Sequence, residues 1–374
     1  MFIKRLRPNN VLSFADCSVE LRNLNVLIGP NGSGKSNLIH VIDLLRQLPG
    51  DFISFMVNSR GADLWLRLEK GIESGMIEVS FLMGDQDWEY SFSFAADGPI
   101  GAVRSEMLQN PRHGIVISRE PNSVTKEDLE VVPLKRDFLS KSVFGMFRGP
   151  EEASIIPKIA AELESIRIYR DFDVGARSAI RVGLPAVRSY GRHLAEDGGN
   201  LAEVLQTLDH SGRMEQLNRW LEMLNADAID VRQEFHEGRL IVTLKERDLS
   251  RRLTGAVLSE GTLRFLCLAA ILMHPDPPPL VCIEEPEKGL HPDAIRMIGD
   301  MLVEASSKTQ VIVTTHSPAL VDCFSSEPEV VVVCEKNTAN ETIFSRLTRL
   351  DLETWLEKFS LGDVWQRGAI GGVR

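Results

Sequence analysis

Apolar positions along the chain follow two different rhythms. Leu24-Asn25-Val26-Leu27-Ile28 is a compact apolar run closed by glycine, which predicts a buried strand. From Asn37 to Leu48 the apolar residues fall at 38, 39, 41, 42, 44, 45 and 48, the spacing of a well-buried helix. Between Gly75 and Phe94 the period drops to two. Ile77, Val79 and Phe81 alternate with polar residues, as do Trp88, Tyr90, Phe92 and Phe94 beyond Gly84-Asp85-Gln86-Asp87, which predicts a β-hairpin. Residues 104–150 carry no clear pattern, and 151–228 read as mostly helical, broken at Gly183-Leu184-Pro185 and Asp197-Gly198-Gly199-Asn200. The last third predicts a strand at 240–244, a helix at 259–273, a strand at 280–283, a helix at 293–305 and a strand at 311–314. Such alternation implies an α/β protein with a parallel or mixed sheet. No internal repeat stands out, and no heptad pattern persists for three or four turns, so no long coiled-coil arm is expected.

Composition narrows the class. With 43% apolar and 25% charged residues over 374 positions, wholesale disorder is excluded and a sizeable core is affordable. Lysine and arginine number 42 against 53 acids, a net charge of −11, so any nucleic-acid contact must be local rather than a general coating of positive charge. The longest apolar run, Phe265 to Met273, is far short of the ~20 residues that span a bilayer. Lys4 and Arg5 interrupt the place where a signal peptide would turn apolar. The expectation is a cytoplasmic protein with no membrane partner. Five cysteines form no C-x-x-C pair, which argues against a zinc site or a disulfide framework.

Candidate chemistry begins at Gly29-Pro30-Asn31-Gly32-Ser33-Gly34-Lys35-Ser36, which matches G-x-x-x-x-G-K-[ST] between a predicted strand and a predicted helix. In such a loop glycines let backbone amides close on phosphate oxygens, Lys35 reaches the β- and γ-phosphates, and the Ser36 hydroxyl coordinates Mg²⁺. The helix entered through Asn37 directs its positive end at the same anion. A second half-site is Leu280-Val281-Cys282-Ile283-Glu284-Glu285, an apolar strand ending in two acids. Glu284 is placed to hold Mg²⁺ and Glu285 to polarise an attacking water. Leu258-Ser259-Glu260-Gly261-Thr262 precedes an apolar helix with Ser259 as a natural N-cap, a helix start suited to receive phosphate. Val311-Ile312-Val313-Thr314-Thr315-His316-Ser317-Pro318 ends an apolar strand on an imidazole, where His316 can sense a γ-phosphate.

In this order the P-loop, L-S-E-G-T, E-E-P-E-K-G-L-H-P and T-T-H-S-P segments resemble the ABC-type ATPase heads of the RecF, SMC and OLD families, and most of all the compact bacterial AAA-family ATPases that share this head. The resemblance is specific over residues 1–50 and 255–322, with weaker similarity at 197–201 and 361–365. It implies a P-loop NTPase fold: a mixed sheet flanked by helices, an antiparallel β subdomain and a helical insertion. The ranges expected are 1–135 for the N-terminal part of the head, 150–235 for the insertion and 240–374 for the C-terminal part. It also implies Mg²⁺-dependent ATP hydrolysis, an ATP-dependent homodimer or higher oligomer, Ser259, Glu260 and Gly261 acting in trans, 286–292 as the D-loop, and His316 as the switch histidine. Glu260 and Thr262 depart from the glycine and glutamine of transporter signatures, and Gln47, Gln86 and Gln109 all remain candidates for the Q-loop.

What the head drives is less legible. The stretch after His316 is too short for the Toprim nuclease of OLD proteins, so a nuclease or toxin effector is expected in trans. Arg167, Arg170, Arg177, Arg181, Arg188 and Arg192, interleaved with Tyr169, Phe172 and Tyr190, face only Asp171 and Asp173. This segment reads either as a phosphate-backbone or single-strand contact centred on Arg177, Arg181 and Arg188, or as salt bridging to the acidic remainder of the protein or to the nucleotide. A shorter cluster, Arg247, Arg251 and Arg252, precedes the signature and reads either as a nucleotide contact in trans or as a DNA contact. Two functions follow: an ATP-gated, DNA-associated switch in genome maintenance or anti-phage defence, or a regulatory ATPase acting only through a protein partner.

Overall fold

The computed structural model describes residues 1–97, 100–126, 131–134, 140–148, 155–185 and 192–371. The chain folds into two compact units, each discontinuous in sequence. One takes residues 1–166, 332–347 and 370–374, the other 167–331 and 348–369.

The first unit is built on a nine-stranded antiparallel sheet. Its path runs Val131–Pro133, Ser123–Lys126, Gly114–Glu120, Ile100–Asn110, Gln86–Asp97, Ser74–Met83, Phe2–Val11, Phe14–Asp16, with Val19–Glu20 also paired to Phe2–Val11. The expected hairpin is present as Ser74–Met83 and Gln86–Asp97, its inner face carrying Ile77, Phe81, Trp88, Tyr90, Phe92 and Phe94. Residues 104–150, unpatterned in sequence, contribute most of four strands. The reason is a slip of phase. Buried positions run 101, 103, then 106, 108, 110, because the register against the neighbouring strand shifts between Ser93 and Phe94. One of those inward positions is the carboxylate Glu106, directly opposite the guanidinium of Arg119. Both side chains are fully buried, 3.7 Å apart. Tyr90 donates to Glu106 Oε1 at 2.9 Å, and the Val143 N–H to Oε2 at 2.8 Å. The same unit holds the wholly buried strand Leu24–Ile28, the helix Lys35–Gln47 that follows it, and an antiparallel hairpin of Val331–Lys336 and Thr342–Arg346.

The second unit contains the α/β alternation expected from the sequence. Arg167–Tyr169, Leu280–Glu284 and Gln310–Thr314 pair in parallel. Glu260–Leu272 and Pro292–Ser306 are helices that pack on one another. The strand at 240–244 is present as Arg239–Glu246, paired with Ala228–His236. Residues 151–228 are less helical than their pattern predicts. Helix Ile156–Ser165 belongs to the first unit, and in the second the helices Leu201–His210 and Met214–Leu224 are accompanied by the short strands Arg167–Tyr169 and Leu184–Pro185. Ile168 and Tyr169 are buried beside Cys282 and Ile283, and sheet pairing overrides any local preference of so short a segment.

Among the described residues no helix is long and apolar enough to cross a membrane.

Candidate nucleotide site

In the first unit, the chain leaves the strand Leu24–Ile28 through Gly29 at φ 142° and enters the helix through Gly34 at φ 112°. A Cβ on Gly29 would lie 2.1 Å from the Cys334 carbonyl oxygen, and one on Gly34 2.3 Å from Thr342 Oγ1. Both positions therefore require glycine on conformation and on space. The Thr342 hydroxyl donates to the Ser33 carbonyl at 2.8 Å and lies 2.7 Å from Ser13 Oγ, which also accepts from Asn37 Nδ2 at 2.8 Å. Thr342 and Ser13, which no motif singled out, thus buttress the loop.

Lys35 is 6% exposed, and its ammonium donates to the carbonyls of Gly29 at 2.7 Å and Pro30 at 2.9 Å. The charge sits inside the loop it serves. Asn31, Gly32 and Ser36 are exposed, and the helix has no acid in its first turn to cancel its positive end. The Ser33 hydroxyl is buried with no hydrogen-bond partner. A loop of strained glycines, an enclosed ammonium and an orphaned hydroxyl fit a bound polyphosphate. Beside it, a cleft of about 590 Å³ is lined by Leu12, Ser13, Asn37, Arg67, Lys336 and Glu341, among others.

In the second unit, the strand Leu280–Glu284 delivers both acids. Glu284 Oε1 accepts from Arg170 Nε at 3.1 Å. Glu285 has φ 48°, a left-handed conformation rare for a side chain of this size, and its N–H donates to Thr314 O at 2.9 Å. Such strain gathers where a side chain must be aimed. His316 Nε2 lies 4.0 Å from Glu285 Oε1. Glu287, unforeseen in sequence, holds the switch loop: its Oε1 accepts from Thr315 Oγ1 at 2.7 Å and from the His316 N–H at 2.9 Å.

The signature helix begins as expected. Ser259 is its N-cap, its Oγ accepting from the Thr262 N–H at 3.1 Å, and Ser259 and Glu260 are exposed. Gly261 lies close to the Gly289 carbonyl, 3.1 Å from where a Cβ would stand. Asp171 bridges this helix to the turn after the acids, accepting from Arg264 Nη1 at 2.6 Å and from Lys288 Nζ at 2.8 Å. Burial pushes the Asp171 carboxyl up, but these two cations outweigh it and hold it below the usual carboxylate range.

Three arginines of the segment already have partners within the protein. Arg170 meets Glu284, Arg192 pairs with Asp276, and Arg181 donates to backbone carbonyls. Tyr169 and Phe172, interleaved with these arginines, are 2% and 8% exposed and so offer no face to a nucleic acid. Arg177 is exposed, while Arg188 and Tyr190 lie outside the described residues. In the shorter cluster, Arg252 is tied to Asp230 and Glu234 and Arg247 to Glu222.

A glycine cradle with its lysine, a strand ending in two acids, a helix capped by Ser259 and a histidine after the strand Gln310–Thr314 are the parts expected of an ABC-type ATPase head. The family described as "AAA domain, putative AbiEii toxin, Type IV TA system" matches residues 24–322. The chain belongs to this family, and it is an ATPase of the RecF/SMC/OLD class. It is 25% identical over 199 residues to the DNA double-strand break repair Rad50 ATPase of Sulfolobus acidocaldarius, covering 50% of this chain and 21% of that protein. It is 22% identical over 389 residues to the Old nuclease of Escherichia phage P2, covering 92% of this chain and 62% of that one. The chain thus spans less than two thirds of the length of either relative. Among solved structures, the Smc head bound to the C-terminal winged-helix domain of ScpA matches with a TM-score of 0.55 at 14% identity, over 93% of this chain and 98% of that one. An Smc head with an extended coiled coil, bound to the C-terminal domain of ScpA derived from Pyrococcus furiosus, gives 0.53 at 12% identity, over 96% and 99%. These two likenesses establish the fold.

Proposed function

We propose that the chain is an ATP-gated switch that closes as a two-fold dimer around ATP, with Ser259, Glu260 and Gly261 of one subunit completing the site of the other. The observation that carries this is the exposed, capped start of the signature helix. The amides there have an anion to bind when a second subunit presents one, and a two-fold arrangement satisfies both sites at once. Within a subunit Lys35 and the loop amides hold the β- and γ-phosphates, and the neighbouring cleft takes the nucleoside. Glu285 orients the water, and His316, fixed by Glu287, faces the γ-phosphate. Ser36 and Glu284 would hold Mg²⁺, which when bound neutralises charge on the phosphates; Glu284 must then exchange Arg170 for the metal.

Genome maintenance or anti-phage defence, on DNA and with a nuclease or toxin effector in trans, is the biological setting we propose. The names of the two relatives and of the family support it. The acceptors that Arg170, Arg181 and Arg192 already have within the protein, and the burial of Tyr169 and Phe172, favour the second reading, an ATPase acting only through a protein partner. DNA-stimulated ATP turnover separates the two: stimulation that disappears on changing Arg177 and Arg188 to glutamate supports the first, and no stimulation at low salt the second.

Light scattering of Glu285→Gln with and without Mg-ATP tests the dimer. Blocking water activation should leave binding intact and trap the closed state. A mass that stays monomeric in both conditions overturns the closed-dimer reading.

A further inference from the structure

We infer that Arg181 is a positioning residue of the signature, shaping the loop in front of Ser259 so that the helix start is presented to a phosphate. Its role presupposes that the signature acts in trans, as proposed above. Arg181 lies on the one-turn helix Ala179–Val182, far from the signature in sequence. Its Nε donates to Val174 O at 2.7 Å, and its Nη1 lies 2.7 Å from Leu258 O, 3.1 Å from Gly255 O and 3.3 Å from Ala256 O. Three of these four acceptors belong to the loop that ends at the helix cap.

The backbone makes the same contact. A Cβ on Gly255 would stand 3.0 Å from Ile180 O and 3.1 Å from Arg181 O, so a larger residue there would push the loop away from the short helix by a few tenths of an ångström. Leu258 is 4% exposed, whereas Val257 is 66% exposed and Ser259 and Glu260 face solvent. The loop therefore passes between interior and surface within a residue or two, and its path decides where the cap sits.

Electrostatics gives the tie its purpose. Carbonyl oxygens carry partial negative charge, and three of them directly precede a helix start meant to receive an anion. Gathering them on a guanidinium turns them towards a full positive charge and away from the incoming phosphate. A planar fork reaches Val174 and the loop together, which the point charge of a lysine does not. The sequence had offered Arg181 to a phosphate backbone. The geometry gives it a different task, since a guanidinium engaged with four carbonyls holds its own chain.

The test uses Arg181→Met, which keeps the aliphatic stem, in the Glu285→Gln background. ATP affinity of the monomer, set by the loop around Lys35, should stay within about twofold, while the ATP-dependent dimer weakens at least tenfold and DNA affinity is unaltered. Gly255→Ala should give the same split without touching the guanidinium, and decides the matter alone if Arg181→Met does not fold. Dimerisation at parental strength in either folded variant overturns the inference. So does loss of DNA affinity with dimerisation intact, which would return Arg181 to a phosphate backbone. Ser259→Arg in the same background separates the premise from the inference. If the parent never dimerises with ATP, the premise fails. If Ser259→Arg blocks a dimer that Arg181→Met leaves intact, only the role of Arg181 fails.

Discussion

Glu287→Ala should cripple turnover while sparing nucleotide binding. The carboxylate receives two hydrogen bonds, at 2.7 Å from Thr315 Oγ1 and 2.9 Å from the His316 N–H. Bonds to a charged acceptor contribute about 1.5–3 kcal/mol each. Thr315 is fully buried, but its Oγ keeps a second contact by accepting from the Ser317 N–H at 2.9 Å. The net local loss is therefore nearer about 2–4 kcal/mol than the sum of two full bonds. His316 lies 4.0 Å from Glu285, so loosening its backbone disturbs the alignment of histidine and water-orienting acid. If about half the loss is felt in the transition state, kcat falls roughly 5- to 30-fold. Glu287→Gln keeps a carbonyl oxygen for the same donors and should remain within a few-fold of the parent. Single-turnover quench measurements beside equilibrium nucleotide titration make the comparison. An alanine variant with turnover within twofold of the parent would refute the reasoning, because the switch loop would then hold its shape without Glu287.

Lys35→Ala should abolish ATP hydrolysis and weaken binding with the fold retained; phosphate release at the parental rate would remove the P-loop assignment. Glu106→Gln takes away the carboxylate facing the buried Arg119 and should cost about 3–5 kcal/mol in urea unfolding. A loss under about 1 kcal/mol would mean that the charge is compensated elsewhere. His193 supplies a pH test: burial, then the neighbouring His274, depress its pKa from 6.5 to about 4. The unfolded chain takes up this proton first, so stability falls as the pH drops from about 6.5 towards 4. His193→Asn should flatten that slope, seen by thermal melts across the window; an unchanged slope counts against the assignment.

Legibility followed the length and regularity of the pattern. Leu24–Ile28 and Leu280–Glu284 are mostly apolar strands buried along nearly their whole length, and motifs beside them could be placed without the fold. Ser259 was readable as an N-cap because its cue, a small hydroxyl before an apolar helix, is local. The wide antiparallel sheet was hidden because one register slip near Val103 inverts the expected face, and because a buried ion pair looks like surface in a list of residues. Thr342 and Ser13 have no local signature at all, and Glu287, although inside E-E-P-E-K-G-L-H-P, has none that gives its role. Each acts by reaching a backbone group or hydroxyl brought near by folding. The arginine segment left two readings open because composition counts charges, while only the fold reveals that Arg170 and Arg181 already have acceptors.

The wall behind the phosphate loop comes from the far end of the chain. Thr342, whose hydroxyl holds the Ser33 carbonyl, lies 309 residues after it, and the carbonyl that crowds Gly29 belongs to Cys334. A ribosome adding about 5–20 residues each second needs on the order of 15–60 s to cover that distance. For that interval the nascent chain carries the complete G-x-x-x-x-G-K-S motif without the surface that shapes it. Nucleotide is therefore a late ligand in the life of this protein, and a chain stalled before residue 334 exposes the motif without its finished pocket.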